Sequence, residues 1–395
     1  MSKRLTDYKH SGMQDLVPDS AALAMPQLSQ LETTAAKSAW PLEGRSTPRQ
    51  AGGRIPAKVP VIHKDGTPLM PCSPAKARKL IHGGVAEGQW NKLGQFYIQM
   101  LVDTGKEVQP MALGLDPGGK YDGLAVASER QVQTTAMLEL PTSIADTLTN
   151  RRQLRRSRRY RKCRRRPARF NNRRKSKGWL SPNQKAKVDF RLKIVEELCK
   201  LYPITDFVVE DVCFNHFAKR WGKHFSTVEI GKTKLYEALQ AQGNLQLYEG
   251  WQTQETRDQL GLKKCSSKSK RCVESHAIDA LALCYRWLAT QDLSVPEFWV
   301  FRRPNLRRRS LHLQTPQKGG VRRVHGGTVA LGIPKNTVCL WKRQLYRTGG
   351  SAKGRLSLHD MTLEARRVTK SAKVEDLTLL YHQTIFSDQV SLFAH

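Results

Sequence analysis

One stretch near the middle of the chain, positions 151 to 175, reads RRQLRRSRRYRKCRRRPARFNNRRK and contains fifteen basic residues and no acidic one. Basic side chains three or four positions apart repel each other on a helix, so such a segment is not stable without an anionic partner. The arginines of its first turns would also surround a helix on all sides, which leaves no face for a protein core. The segment therefore predicts a helix that lies against an anion.

The whole chain shares this excess of positive charge. Its 395 residues include 67 Lys and Arg against 34 Asp and Glu, a net charge of +33. A surplus of this size favours nucleic acid as the partner. No apolar run is long enough to span a bilayer, the first residues lack the apolar segment of a secretion signal, and the eight Cys contain no C-x-x-C pair. We therefore expect a cytoplasmic protein with a nucleic-acid partner, reduced thiols and no membrane partner.

The pattern of apolar residues around the Arg-rich segment predicts the fold class. Three strand-like runs, Met111 to Leu115, Gly123 to Ala127 and Val132 to Leu140, precede the segment and predict an antiparallel meander. A helix, the strand DFVVEDV, a second helix, a second strand and a last helix that begins near Cys272 follow it. The order βββ, α, β, α, β, α is that of a ribonuclease H-like domain. The predicted class is α/β, with a split ribonuclease H-like core.

Composition and periodicity also predict the domain boundaries. The first residues are rich in Ser, Thr, Ala, Pro, Gln and Gly, which is typical of disorder, whereas Ser73 suits a helix N-cap and Pro74 the first helical position of a small module. The predicted divisions are a disordered extension at 1–56, a small α/β module at 57–108, the first core segment at 109–145, the Arg-rich helix at 146–184, the second and third core segments at 185–292, and a β-rich C-terminal domain at 293–395.

Three carboxylates lie in or directly after apolar runs. Asp116 ends MALGLD, Glu210 ends DFVVE, and Asp279 lies within HAIDALAL. Each one alone is more simply a turn residue, a solvated strand end or a helix-surface residue. Buried carboxylates are costly unless they are paired or bind a metal, and each acid falls where a ribonuclease H-like nuclease has one. We therefore predict that the three acids bind Mg²⁺, as two ions about 4 Å apart, and that Mn²⁺ can substitute.

His276 lies three residues before Asp279, so both are predicted to project from the same face of one helix. Oxygen ligands suit Mg²⁺, and two ions can hold the attacking water and the leaving oxygen in phosphodiester cleavage. The expected role of His276 is to accept a proton from that water. The predicted catalytic set is therefore Asp116, Glu210, His276 and Asp279.

Taken in order, these motifs resemble one family. GLDPG around Asp116, the Arg-rich segment, VVEDV around Glu210 and SHAIDALAL around His276 and Asp279 resemble the split RuvC domain of IscB and IsrB. These are transposon-encoded, RNA-guided nucleases related to the ancestors of the type II CRISPR effector. The letters PLMP at 68–71 resemble the motif that names the family's N-terminal PLMP module, and residues 302–328 resemble the stretch that follows its nuclease core.

The interval between the second and third RuvC segments distinguishes the subfamilies. IscB carries an HNH nuclease there, whereas the sequence from 210 to 276 contains no His-Asn-His set, so the chain resembles IsrB, the form without HNH. The interval also lacks the Cys-x-x-Cys pairs of TnpB-like nucleases. By this resemblance the Arg-rich segment is a bridge helix against the guide RNA (omega RNA), and Tyr160 can stack on a base. The expected RNA-binding residues are Arg151, Arg152, Arg155, Arg156, Arg158, Arg159, Arg161, Arg164, Arg165 and Arg166.

The resemblance implies an RNA-guided nickase, a protein monomer within a ribonucleoprotein. It also implies a bacterial cytoplasmic protein that is nucleoid-associated when on DNA. The nickase would cut the non-target strand of a guide-matched double-stranded DNA, and its C-terminal β-rich domain would read a short target-adjacent motif. Two alternatives stay open: a guide-free, structure-selective nuclease of the Holliday-junction resolvase type, and a catalytically idle RNA-binding protein. A defined co-purifying RNA would exclude the first, and Mg²⁺-dependent nicking would exclude the second.

Overall fold

The computed structural model of the chain describes residues 56–160, 175–213, 227–304 and 327–390. A seven-stranded mixed sheet lies at the centre of these residues, and helices pack on both of its faces. This arrangement confirms the predicted α/β class. Within the described ranges, no helix combines the length and the apolar composition that crossing a membrane requires.

Four short strands and one helix form the N-terminal module. The strands are β1 (Val59–Ile62), β2 (Pro68–Cys72), β3 (Ala86–Trp90) and β4 (Phe96–Met100), in the order β2-β1-β4-β3. Helix α1 (Pro74–His82) begins as the sequence predicts, because the Ser73 hydroxyl oxygen accepts the backbone N–H of Lys76. Strands β2 and β3 were missed, since PLMPC contains two prolines, which are rare inside strands, and AEGQW has no apolar alternation.

The central sheet contains the predicted meander and two parallel strands beside it. Its members are β5 (Met111–Asp116), β6 (Tyr121–Ser128), β7 (Val132–Glu139), β8 (Ile204–Glu210), β9 (Asn244–Tyr248), β10 (Phe298–Arg302) and β18 (Phe386–Val390), in the order β18-β10-β7-β6-β5-β8-β9. Strands β5, β6 and β7 are antiparallel neighbours, whereas β8 runs parallel to β5 and β9 runs parallel to β8. The five strands from β7 to β9 therefore consist of the predicted antiparallel meander with two parallel strands on one side of it.

Helices cover the two faces of this sheet. They are α2 (Ser143–Tyr160), α3 (Pro182–Cys199), α4 (Lys232–Gln240), α5 (Gly250–Gln259), α6 (Val273–His276) and α7 (Ile278–Leu288). On one face, Leu113 packs in the same buried cluster as Val188 and Ile194 of α3. On the other face, Ala125 packs with Leu281 of α7. Helix α5 was not predicted, because GWQTQETRDQ has one large apolar residue and therefore no apolar stripe.

The C-terminal region differs from the prediction of a separate domain at 293–395. Strand β10 pairs in parallel with β7, and β18 pairs with β10, so both extend the central sheet. Between them lie a two-stranded hairpin and a five-stranded antiparallel sheet of order β16-β15-β14-β13-β17. These strands are β11 (Val329–Ala330), β12 (Ile333–Pro334), β13 (Thr337–Trp341), β14 (Gln344–Ala352), β15 (Arg355–His359), β16 (Arg367–Ala372) and β17 (Thr378–His382). Most of the segment 302–328 lies outside the described residues.

Candidate metal-binding site

Two of the predicted acids end neighbouring parallel strands. Asp116 is the last residue of β5, and Glu210 is the last residue of β8. The pairing of Leu115 with Val209 places the carboxyl ends of these strands at the same edge of the sheet. Crevices outside the carboxyl ends of parallel strands are where open α/β sheets bind ligands.

Asp279 reaches this edge because its helix lies unusually close to the sheet. It occupies the first turn of α7. A Cβ atom built on Gly114 of β5 would lie 2.2 Å from the carbonyl oxygen of Ala280, and one built on Gly123 of β6 would lie 1.8 Å from that of His276. No side chain fits at either position, so the two glycines are what allow the Asp279 segment to pack against β5 and β6.

The three carboxylates form one cluster. Their ligand oxygens all lie within 4.8 Å of one another; Asp116 and Glu210 keep some solvent access, whereas Asp279 is 4% exposed. One Asp279 oxygen, Oδ1, is buried without a hydrogen bond. Hard oxygen donors at this spacing fit a divalent cation such as Mg²⁺ or Mn²⁺. The residues present therefore match the predicted metal site.

The electrostatics of the cluster also favour the binding of a cation. Desolvation, followed by the negative charges of Glu210 and Asp279, raises the pKa of Asp116 to about 8. Desolvation and the charge of Asp279 also raise the pKa of Glu210. Three acids this close cannot all ionise at little cost unless a cation joins them.

Two basic side chains that sequence reasoning missed contact Asp279. Lys264, on the connection between α5 and α6, donates a hydrogen bond to Oδ2 of Asp279. The Nε atom of Arg257, on α5, lies 3.1 Å from Oδ1. Neither Arg257 Nε nor Asp279 Oδ1 has an aligned hydrogen bond, so this contact is ionic rather than directional. Both residues lie in polar sequence with no periodic pattern, and no local signal identifies them.

His276 lies beside this cluster in sequence but is not one of its members. In the described part of the chain, the group of mutually close ligand atoms consists of the three carboxylates. The prediction that His276 and Asp279 share one helix is wrong, because α6 ends at His276 and Ala277 separates it from α7. Burial, followed by the charge of Lys268, lowers the pKa of His276. Its ring lies 5.1 Å from that of Tyr121, and its Nε2 atom has no hydrogen-bond partner.

A buried ion pair holds the turn that follows Asp116. Asp122 and Arg191 of α3 are 1% and 4% exposed, and their side chains meet at 2.7 Å. The Gly118 N–H donates to Asp122 Oδ1, and Arg191 Nη2 donates to the Gly118 carbonyl oxygen at 2.9 Å. Lys187 of α3 donates to the Gly119 carbonyl oxygen. Helix α3 therefore fixes the Pro-Gly-Gly turn on which the position of Asp116 depends.

The Arg-rich segment forms a helix at its beginning. Helix α2 continues through Tyr160, which is 90% exposed. Arg151, Arg152, Arg155, Arg156 and Arg159 are all exposed. The side chain of Arg158 is not described, and Arg161, Arg164, Arg165 and Arg166 lie outside the described residues. Exposure on successive turns agrees with a helix that has no protein core on any face, and the RNA-binding role stays a prediction.

Comparisons with known proteins give one family match. A family model described as RRXRR protein matches residues 59–226, which is less than half of the chain. Among proteins with curated descriptions, none matches. Two solved structures of Thermus thermophilus RuvC, one in complex with a Holliday junction substrate, each cover 46% of this chain at 17% and 16% identity, and 98% and 97% of their own chains. Their TM-score is 0.27, and a likeness this weak carries no argument about what the chain does.

Proposed function

We propose that the chain is an RNA-guided nickase, which hydrolyses one strand of a guide-matched DNA at the centre formed by Asp116, Glu210 and Asp279. The observation that carries the proposal is the convergence of three carboxylates from distant parts of the sequence, with ligand oxygens within 4.8 Å of one another. The chain has a net charge of +33, so an acidic cluster at the carboxyl ends of two central strands needs a reason. A cation that binds these carboxylates and a phosphate of the substrate explains it best.

The residues around the cluster support hydrolysis. A divalent ion bound there would polarise the scissile phosphate and lower the pKa of the attacking water. The acidic cluster would hold that ion, and its carboxylates would give the site its negative charge. His276 has a lowered pKa and an unpaired Nε2 atom, so at neutral pH it is a neutral base with a free lone pair or N–H for the reacting water.

In this proposal the guide RNA binds to the Arg-rich helix α2. Arg is suited to phosphates because its guanidinium forms paired, charge-assisted hydrogen bonds, and the described arginines of α2 are exposed. Tyr160 at the end of α2 offers an exposed ring for base stacking. The RRXRR family match includes this helix and supports the resemblance to IscB and IsrB. Sequence would then be read by base pairing with the guide, and a short adjacent motif by the C-terminal strands.

The test begins with the RNA that co-purifies with the expressed chain. Its sequence defines the guide, and a supercoiled plasmid with a matched target is then incubated with the complex and Mg²⁺. We expect open circles with little linear product, because the chain has one such centre in its described residues, and we expect run-off sequencing to place the nick on the non-target strand. Asp116→Asn should abolish nicking, whereas Asp258→Asn, at an exposed position of α5, should not.

Each alternative has its own outcome in this assay. Nicking of branched DNA without any RNA would contradict the proposal and show that the chain is a structure-selective nuclease. Binding of one defined RNA with no Mg²⁺-dependent nicking would leave an idle RNA-binding protein.

A further inference from the structure

The two basic side chains at Asp279 change what the acidic cluster can hold. Lys264 contacts one oxygen of this carboxylate and Arg257 contacts the other, so both oxygens already face a positive charge. Asp116 and Glu210 form no ion pair with a basic side chain in the described ranges. The free ligand oxygens therefore belong mainly to Asp116 and Glu210.

The charge balance points the same way. Three ionised acids contribute three negative charges, and Arg257 and Lys264 leave one of these uncompensated. With one divalent ion, the net charge of the centre becomes a single positive charge. Three carboxylates with two divalent ions and no basic side chain would have the same net charge. If two divalent ions bound beside the three carboxylates and the two basic side chains, the net charge would be three positive charges in a small, partly buried space. Like charges at such separations are strongly unfavourable.

We propose that Lys264 is the second cation of this centre: the chain binds one divalent ion between Asp116 and Glu210, and the Lys264 ammonium on Asp279 takes the place of a second ion. The inference rests on the proposed metal site and replaces the two-ion prediction made from the sequence. It also assigns a function to a residue that no motif in the sequence singles out.

The two basic side chains differ in solvent exposure, and this difference identifies Lys264 as the one that can act as a second cation. The Arg257 side chain is 15% exposed, whereas that of Lys264 is 33% exposed and belongs to a connection rather than a helix. An ammonium group has three N–H donors. Lys264 can therefore keep its bond to Asp279 and donate to a phosphate oxygen of the bound strand, which is the charge compensation a second ion supplies.

The test counts bound ions, not activity. The full-length chain is freed of RNA by ribonuclease and a high-salt wash, and Mn²⁺ is titrated while electron paramagnetic resonance measures the free ion. We expect one ion per chain for the natural sequence beyond the background of Asp116→Asn. Lys264→Met should bind a second ion at least about tenfold more tightly than the natural chain does, because a positive charge has been removed. Lys264→Arg, which keeps the charge, and Lys263→Met, at the exposed neighbouring lysine, should still bind one.

The outcomes separate this inference from the proposed function. Two ions of similar affinity in the natural chain, with no change in Lys264→Met, would overturn the role of Lys264 and leave the metal site intact. Binding no different from Asp116→Asn would overturn the metal site itself. Thermal melting of each variant identifies any that is unfolded. If Lys264→Met is unfolded, the ion count of the natural chain decides, because two ions of similar affinity there would overturn the inference.

Discussion

Replacing Arg191 by Met should strongly destabilise the protein, because this arginine is buried in an ion pair. The guanidinium makes two hydrogen bonds to Asp122, at 2.7 and 2.9 Å, and a third to the Gly118 carbonyl oxygen. Without Arg191, the Asp122 carboxylate keeps the Gly118 N–H as its remaining donor and stays in a place where its side chain is 0% exposed. The substitution therefore leaves a buried charge with no counter-charge in contact.

Breaking a buried ion pair by removing one partner costs about 3–5 kcal/mol. The lower figure applies if water reaches Asp122 once the guanidinium is gone, and the higher one if the methionine side chain fills the space. The ratio of folded to unfolded protein would fall by a factor of about 2 × 10² to 5 × 10³. The double variant with Asp122→Asn should recover most of this loss, because neutral Asn needs no counter-charge and its amide can still accept from Gly118.

Urea unfolding followed by tryptophan fluorescence measures these free energies. Lys185→Met, which removes an exposed cation from the same helix, is the matched control and should change stability by less than about 0.5 kcal/mol. If Arg191→Met costs no more than this control, or if adding Asp122→Asn makes the loss larger, then the pair is not the buried, coupled unit described above. Mn²⁺ binding by the folded variant at low temperature would show whether the turn after Asp116 has moved as well.

Three further outcomes follow from other parts of the molecule. Burial raises the pKa of Glu297 to about 7, well above the usual value of a glutamate side chain. Because the folded state then binds more protons than the unfolded state, the natural chain loses stability as pH rises from about 4.5 to 7, and Glu297→Gln should gain about 3 kcal/mol relative to it between about pH 4 and 8. Equal shifts of the urea midpoint at these two pH values would contradict this. Gly123→Ala should lower the melting temperature and metal affinity, because its Cβ would lie 1.8 Å from the His276 carbonyl oxygen, whereas Gly119→Ala, which has open space, should do neither. Neutral replacement of Arg155, Arg156 and Arg159 should weaken RNA binding and reduce its dependence on log salt by about 0.7–0.9 per lost phosphate contact, and an unchanged slope would place these side chains in solvent.

Elements with a complete local pattern were predictable from the sequence. The runs MALGLD and DFVVE bury almost every side chain and form β5 and β8, and Val188, Val195 and Leu198 are buried at the helical spacing that predicted α3. Elements whose stability comes from neighbours were not predictable. Helix α5 is held by buried Thr253 and Thr256 rather than by large apolar residues, and β10 belongs to the central sheet only because β7, more than 150 positions earlier, is its partner.

The candidate site also contains residues that could be predicted from the sequence and residues that could not. Asp116, Glu210 and Asp279 could be selected because a carboxylate at the end of an apolar run is costly without a cation. Lys264 and Arg257 could not, since each meets Asp279 from a polar stretch, and lysines and arginines are common throughout this chain. The break at Ala277 was also hidden, because CVESHAIDALAL has an uninterrupted helical pattern.

The strand order of the central sheet has a consequence for synthesis on the ribosome. Strand β10 lies between β7 and β18, so its outer edge stays unpaired until residues 386–390 have left the exit tunnel. That edge carries FWVFR, and an unpaired apolar strand edge is a template for pairing between nascent chains. A stop codon shortly before position 386 would therefore leave every residue of the acidic cluster in place and still yield a chain prone to aggregation.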